Sequence, residues 1–132
     1  MNENKERLIT AARRARAAAY APYSGFRVGA ALLTEDGRIF TGCNVENAAY
    51  SPTLCAERVA LGAAVAAGAR RFAAVAVIGG HGDTEADCAP CGVCRESLSE
   101  FATDDFRFLF QKDGRLIEMT ISELLPARFK LK

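Results

Sequence analysis

Three of the five cysteines in this 132-residue sequence carry a spacing that suits a metal. Cys91 and Cys94 form a Cys-x-x-Cys pair directly after Pro90, and Cys55 opens the segment Cys55-Ala56-Glu57-Arg58. Both segments stand where a helix is expected to begin. Side chains three apart share one side of a helical turn. A thiol at a helix start also feels the partial positive charge of unpaired N–H groups, which favours the thiolate a metal needs. A metal just beyond both helix starts can therefore meet all three sulfurs. Zinc bound by three protein ligands keeps one position open, the arrangement of a catalytic rather than a structural site. Glu57 can reach forward beside such a metal without ligating it and carry protons between water and a substrate. Three thiolates leave a divalent ion with negative charge in excess, and Arg58, one turn along from Cys55, is placed to offset it.

Other readings of the same residues stand beside this one. Cys88 extends the pattern to Cys88-x-x-Cys91-x-x-Cys94, and with Cys55 it makes enough sulfurs for a closed structural zinc. Against that, Pro90 redirects the chain between Cys88 and the helix start, and a closed site leaves Glu57 without a task. A lone Cys-x-x-Cys also suits a redox pair. Cys43, at the end of an apolar run, reads as a small core residue. His81, the single histidine, lies in Gly79-Gly80-His81-Gly82-Asp83 and reads as part of a mobile surface loop.

The elements that must position these residues follow from pattern and punctuation. Residues 4–20 lack Gly and Pro and are rich in Ala, Arg and Leu, so they predict a helix. Residues 26–34 and 38–44 predict strands joined by a turn at Asp36-Gly37. An irregular loop over 44–54 leads to a helix over 55–67, which stops before Gly68. Residues 71–79 are nearly continuously apolar, as in a strand covered on both faces. A loop over 79–90, a helix over 91–101, strands over 106–111 and 115–120 around Asp113-Gly114, and a short helix over 121–125 complete the chain. Strands alternating with helices predict a sheet with helices on its faces, and the two hairpins make it mixed.

Composition excludes several classes of function. Half the residues are apolar, which suits a packed globule and opposes disorder. Seventeen basic and sixteen acidic residues give a net charge of +1, without the footprint expected for a nucleic-acid backbone. The one dense basic run, Arg13-Arg14-Ala15-Arg16, reads as a solvated helix face. There is no run of ~18 apolar residues to span a membrane, and the N-terminal residues are polar, so the expected setting is the cytoplasm. One domain over residues 1–132 is the simplest organisation.

Beyond the metal motif, Tyr20-Ala21-Pro22-Tyr23-Ser24, Phe26-Arg27-Val28-Gly29-Ala30-Ala31, Asn44-Val45-Glu46-Asn47-Ala48-Ala49-Tyr50 and Glu123-Leu124-Leu125-Pro126 give the chain a wider resemblance. Together with Cys55-Ala56-Glu57 and Pro90-Cys91-Gly92-Val93-Cys94, the all-cysteine form of the zinc deaminase signature, they resemble the small homotetrameric cytidine deaminases from about Leu8 to Phe129. The resemblance implies an α/β fold of three layers, helix/sheet/helix, around a five-stranded mixed sheet. It implies one zinc per chain on Cys55, Cys91 and Cys94, and Glu57 as proton shuttle. It implies hydrolysis of free cytidine and deoxycytidine to uridine and deoxyuridine with release of ammonia, in pyrimidine salvage. Phe26 matches the residue that packs on the pyrimidine, Asn44 and Glu46 match those that bind the ribose hydroxyls, and Ala56 counts among the substrate-binding positions. Tyr50 and Phe129 match residues that reach into a neighbouring subunit's site, so active sites shared within a homotetramer are expected. Two departures stand out: Glu96 where the family commonly has Gln, and the segment Pro52-Thr53-Leu54 ahead of Cys55. A deaminase of another cytosine-containing nucleoside, such as an antibiotic, uses the same zinc chemistry. A non-catalytic module built on a structural zinc stays open as well.

Overall fold

A computed structural model describes residues 2–131. Met1 and Lys132, the ends of the expected 1–132 domain, lie outside the described residues. The elements run α1 (Asn2–Arg16), β1 (Phe26–Thr34), β2 (Ile39–Cys43), α2 (Ala56–Ala66), β3 (Phe72–His81), β4 (Thr84–Ala86), α3 (Gly92–Ser99), β5 (Arg107–Lys112), β6 (Arg115–Thr120) and α4 (Ile121–Leu124). The main sheet has the order β2-β1-β3-β5-β6, and β4 pairs with β3 off that path. Among the described strands only β3 and β5 run parallel, with α3 in the crossover between them; the other pairs are antiparallel. The expected mixed sheet is therefore present, with a sixth strand added to the expected five.

Strand alternation sorts the core into two layers. Ala31 and Leu33 of β1, Ala74, Ala76 and Ile78 of β3 and Leu109 of β5 face Leu8 and Ala12 of α1. Ala30, Leu32, Val75, Val77, Phe108 and Phe110 face the opposite way, onto Ala60 and Ala64 of α2, Leu98 of α3 and Ile121 and Leu124 of α4. Two glycines let helices approach the sheet closely. A Cβ on Gly29 would stand 2.1 Å from the Ala12 carbonyl oxygen of α1, and one on Gly42 would stand 2.4 Å from the Ala56 carbonyl oxygen of α2. The second contact seats the start of α2 directly on β2, which fixes the height of Cys55 above the sheet.

The structure corrects two expected boundaries and the reading of the basic run. The first helix ends at Arg16, four residues short of Tyr20. There Ala17, Ala18 and Ala19 tighten onto carbonyls three residues back, and the Tyr20 N–H donates to the Asn44 carbonyl at 2.9 Å. The expected loop after Gly79 instead continues β3 to His81 and turns back as β4. His81 thus ends a strand, though its side chain is exposed. The basic run of α1 has partners rather than a solvated face alone. Arg13 makes a two-pronged ion pair with Glu85, and Arg16 donates to the carbonyls of Arg27, Gly82 and Thr84. These bonds strap the β3–β4 hairpin to α1.

Candidate metal centre and active site

The residues flanking the two helix starts meet on one side of the sheet. Cys55 is the N-cap of α2, in extended conformation, and its side chain makes no capping bond. Cys91 is the N-cap of α3, and its sulfur accepts from the Cys94 N–H at 3.4 Å. The Cys55 and Cys91 sulfurs stand 3.7 Å apart, and those of Cys91 and Cys94 3.4 Å apart. All three sulfurs fall within 4.8 Å of one another. Sulfurs bound at ~2.3 Å to a tetrahedral zinc stand about 3.8 Å apart, so the donor set and its spacing fit that ion. Cys94 is buried, Cys55 half-buried and Cys91 exposed, which leaves the cluster open on the Cys91 side.

Cys88 does not join this group. Its sulfur packs over the bare backbone of Gly79 beside the Phe26 ring, and its N–H donates to the Gln111 carbonyl. Burial first, with the nearby Glu57 and Cys55 charges adding to it, pushes its thiol up to about 12. The four-cysteine closed site read as an alternative from the sequence is not assembled, nor is Cys91-Cys94 an isolated redox pair, since Cys55 completes it. Cys43 is half-buried at the end of β2, outside the cluster.

Charge around the sulfurs is uneven. Hydrogen bonding with Cys94, then with Arg58 and Cys91, brings the Cys55 thiol down to about 5 against the opposing effect of burial. The Cys94 thiol is shifted upward, by its bond to Cys55 and by burial. The Arg58 guanidinium lies 3.8 Å from the Cys55 sulfur and donates to the Thr53 carbonyl at 3.2 Å, as the charge argument from the sequence expects. Glu57, in the first turn of α2, is only 4% exposed. Burial raises its carboxyl to about 7; the Cys55 thiolate adds to the rise, while hydrogen bonds from its own N–H and from Cys94 and the Arg58 charge oppose it. A carboxyl poised there exchanges protons readily near neutrality. Ala56, between Cys55 and Glu57, is fully buried. Its N–H, at the first position of α2, has no acceptor within the helix.

The other sequence-derived site residues divide into two sets. Phe26 opens β1 with its ring on Gly79 and Cys88 and the His81 ring edge-on at 5.1 Å. Bridges from Val45 to Tyr20 and Leu54 hold residues 44–46 extended, which puts Asn44 and Glu46 on one side as their spacing implies. Neither is an idle polar group. The Asn44 amide accepts from the Val28 N–H at 2.8 Å and donates to the Phe26 carbonyl at 2.9 Å. Glu46 accepts from the Tyr23 and Ser24 N–H groups and the Ser24 hydroxyl, and that hydroxyl first of all lowers its carboxyl pKa. Each retains unused hydrogen-bonding capacity. Tyr50, at φ +62°, joins Glu46, Tyr23, Asn47 and Thr53 around a hollow of about 210 Å³. Tyr50 and Phe129 are the outliers: they are 78% and 74% exposed, and Phe129 is not brought to the sulfurs of its own chain.

Sequence reasoning missed the packing of Cys88 and His81 against Phe26. His81 lies opposite Phe26 in the β1–β3 register, and reading a turn at Gly82-Asp83 would have carried β3 on to His81. Roomier hollows of about 470 and 520 Å³ run along α1, but no cysteine lines either. The converging sulfurs and the buried carboxyl, rather than volume, mark the site.

Comparison with known proteins agrees with this geometry. The cytidine and deoxycytidylate deaminase zinc-binding region matches residues 2–110. The chain is 49% identical to the cytidine deaminase of Sporosarcina psychrophila over 125 residues, 94% of this chain and 90% of that protein. It superposes on the crystal structure of cytidine deaminase from Burkholderia pseudomallei with a TM-score of 0.84 at 47% identity, covering 94% of this chain and 98% of that one. A blasticidin-S deaminase of Bacillus cereus stands further off, at 36% identity over 77% of this chain and 76% of that protein. With three convergent sulfurs, a buried carboxyl beside them and these relatives on either comparison, the chain belongs to the zinc-binding cytidine and deoxycytidylate deaminase family.

Proposed function

We propose that this chain hydrolyses the exocyclic amine of free cytidine and deoxycytidine, giving uridine or deoxyuridine and ammonia. The observation that carries this reading is the convergence of Cys55, Cys91 and Cys94 next to a buried Glu57 whose carboxyl titrates near neutrality. Cys55, Cys91 and Cys94 hold zinc, which when bound acts as a Lewis acid and lowers the pKa of water. Glu57 takes a proton from the attacking water and delivers it to ring N3, which makes C4 electrophilic. Water oxygen adds at C4. Glu57 then passes the second proton to the amine, and ammonia departs as the C4 carbonyl forms. Arg58 balances the sulfur charge, and the Ala56 N–H faces the substrate. Phe26 packs on the pyrimidine, while Asn44 and Glu46 take the ribose hydroxyls.

The same reading makes residues 1–132 one domain. It assembles four chains so that Tyr50 and Phe129 complete neighbouring sites, and it sets the enzyme in cytoplasmic pyrimidine salvage. The exposure of both side chains supports the shared site. Among the described residues no helix is long and apolar enough to cross a membrane.

Ammonia release on mixing the purified chain with cytidine or deoxycytidine tests the activity, with metal content measured in parallel. One zinc per chain is expected, lost in Cys55→Ala, Cys91→Ala and Cys94→Ala and kept in Cys88→Ser. A zinc-loaded chain that releases no ammonia from either nucleoside would leave the binding module or a deaminase of another cytosine-containing nucleoside. Loss of zinc in Cys88→Ser would restore the closed structural site.

A further inference from the structure

We propose that Arg95 is a positioning residue for the metal centre, holding the exposed ligand Cys91 in place and tying it to the start of the C-terminal tail. The inference rests on Cys91 being a metal ligand, but not on the identity of the substrate.

Of the three sulfur-bearing residues Cys91 alone is exposed, so core packing does least to hold it. Its restraint comes from backbone on either side. The Cys94 N–H reaches its sulfur, and Pro90 before it is fully buried. Arg95 supplies the remaining hold. Its Nε donates to the Pro90 carbonyl at 2.8 Å and its Nη1 to the Leu124 carbonyl at 3.0 Å. The Pro90 carbonyl and the Cys91 nitrogen belong to one planar peptide. Fixing that oxygen therefore fixes the plane from which the Cys91 Cα and its sulfur project. The other prong rests on firm ground: α4 is anchored in the core by Ile121 and Leu124 and is closed at its start by a Thr120/Glu123 capping box. The planar guanidinium spans both carbonyls with donors in a fixed fork, which a lysine cannot copy. Leu124 also ends the last ordered element before the exposed Phe129. One side chain thus joins the metal loop to the root of the tail.

The test is zinc release into a chromogenic chelator from the zinc-loaded protein, together with denaturation of the metal-free protein. Arg95→Met is compared with Arg70→Met. Arg70 also donates to two backbone carbonyls, those of Val65 and Ala69, at the far end of α2. Supporting groups behind metal ligands typically control affinity by ~10–100-fold. Arg95→Met should therefore release zinc at least ~10-fold faster than the parent, while Arg70→Met releases it at the parental rate. Metal-free denaturation should shift no more in Arg95→Met than in Arg70→Met. Arg95→Lys, which retains one donor point, should fall between parent and Arg95→Met. It serves as the test if the methionine variant does not fold. Parental release kinetics in Arg95→Met or in Arg95→Lys would overturn the proposal. So would faster release matched by an equal loss of metal-free stability, since that pattern marks a general structural role. Because the readout is zinc and not ammonia, a chain that binds zinc yet deaminates nothing would sink the proposed activity without touching this result.

Discussion

Glu57 is a carboxyl that the fold withdraws from water and then asks to ionise. If it shuttles protons without ligating the metal, Glu57→Gln should bind zinc as the parent does and lose at least ~100-fold in turnover. Steady-state ammonia release beside zinc analysis reads both, and near-parental turnover would remove Glu57 from the mechanism. The same group carries a stability signature in the metal-free protein. Its folded pKa, about 7, exceeds the ordinary 4.5, so ionisation disfavours the fold. Its contribution to stability falls as pH rises from about 4.5 through about 7 and is level above that. Gln mimics the protonated form. Urea denaturation in chelator should therefore show the variant equal to the parent near pH 4.5 and more stable at pH ~8, by an amount on the order of 3 kcal/mol. That these residues converge was legible because sulfur, carboxylate and guanidinium types at helix starts carry their meaning in their spacing. What Asn44 and Glu46 bond to was not, since Phe26, Val28, Tyr23 and Ser24 are brought to them by the sheet. Arg95 gave no signal either, because its partners are backbone carbonyls, which every residue has.

At the level of elements the two sheet-facing glycines make a matched pair. Gly29 lies under α1 and Gly42 under the first turn of α2. A methyl at either forces a helix away from the sheet, at a cost of about 1–3 kcal/mol or somewhat more. The functional outcomes should differ. Gly42→Ala lifts Cys55 and Glu57 with the start of α2, so zinc affinity and turnover should fall along with stability. Gly29→Ala disturbs the opposite layer and should lower the denaturation midpoint while leaving zinc content intact. Equal loss of zinc in the two variants would show that α2 is not seated independently. The strands and helices of the main sheet were readable because alternation and Gly/Pro punctuation are local. The errors arose where a tertiary partner overrides local preference. Tyr20 leaves a helix-prone Ala-rich run to bond the Asn44 carbonyl, and the three-residue β4 has too little pattern of its own to announce a strand.

At the level of the whole molecule the C-terminal tail splits in two. Leu124 and Leu125 pack back onto the core, whereas Phe129 and Leu131 stay exposed. Truncation after Pro126 should weaken substrate binding and turnover and leave zinc content unchanged. Mixing that truncated chain with Glu57→Gln should restore part of the activity, because some sites then join a working carboxyl to a neighbour's intact tail. Light scattering that shows a fully active monomer would end the shared site. The three-layer architecture could be read ahead of the structure; the packing of the tail could not, since nothing in Leu124 to Leu131 says which apolar residues a chain keeps for itself. The placement of the sulfurs has one more consequence. Cys55 and Cys91 are 36 positions apart, and the stretch between them contains all of α2, β3 and β4. An ion gripping both ends closes that stretch into a ring, and a cross-link of this span reduces the freedom of the unfolded chain by about 3–4 kcal/mol. The zinc that activates water is thereby a removable clasp, and its supply governs how long the fold endures as well as how fast it works.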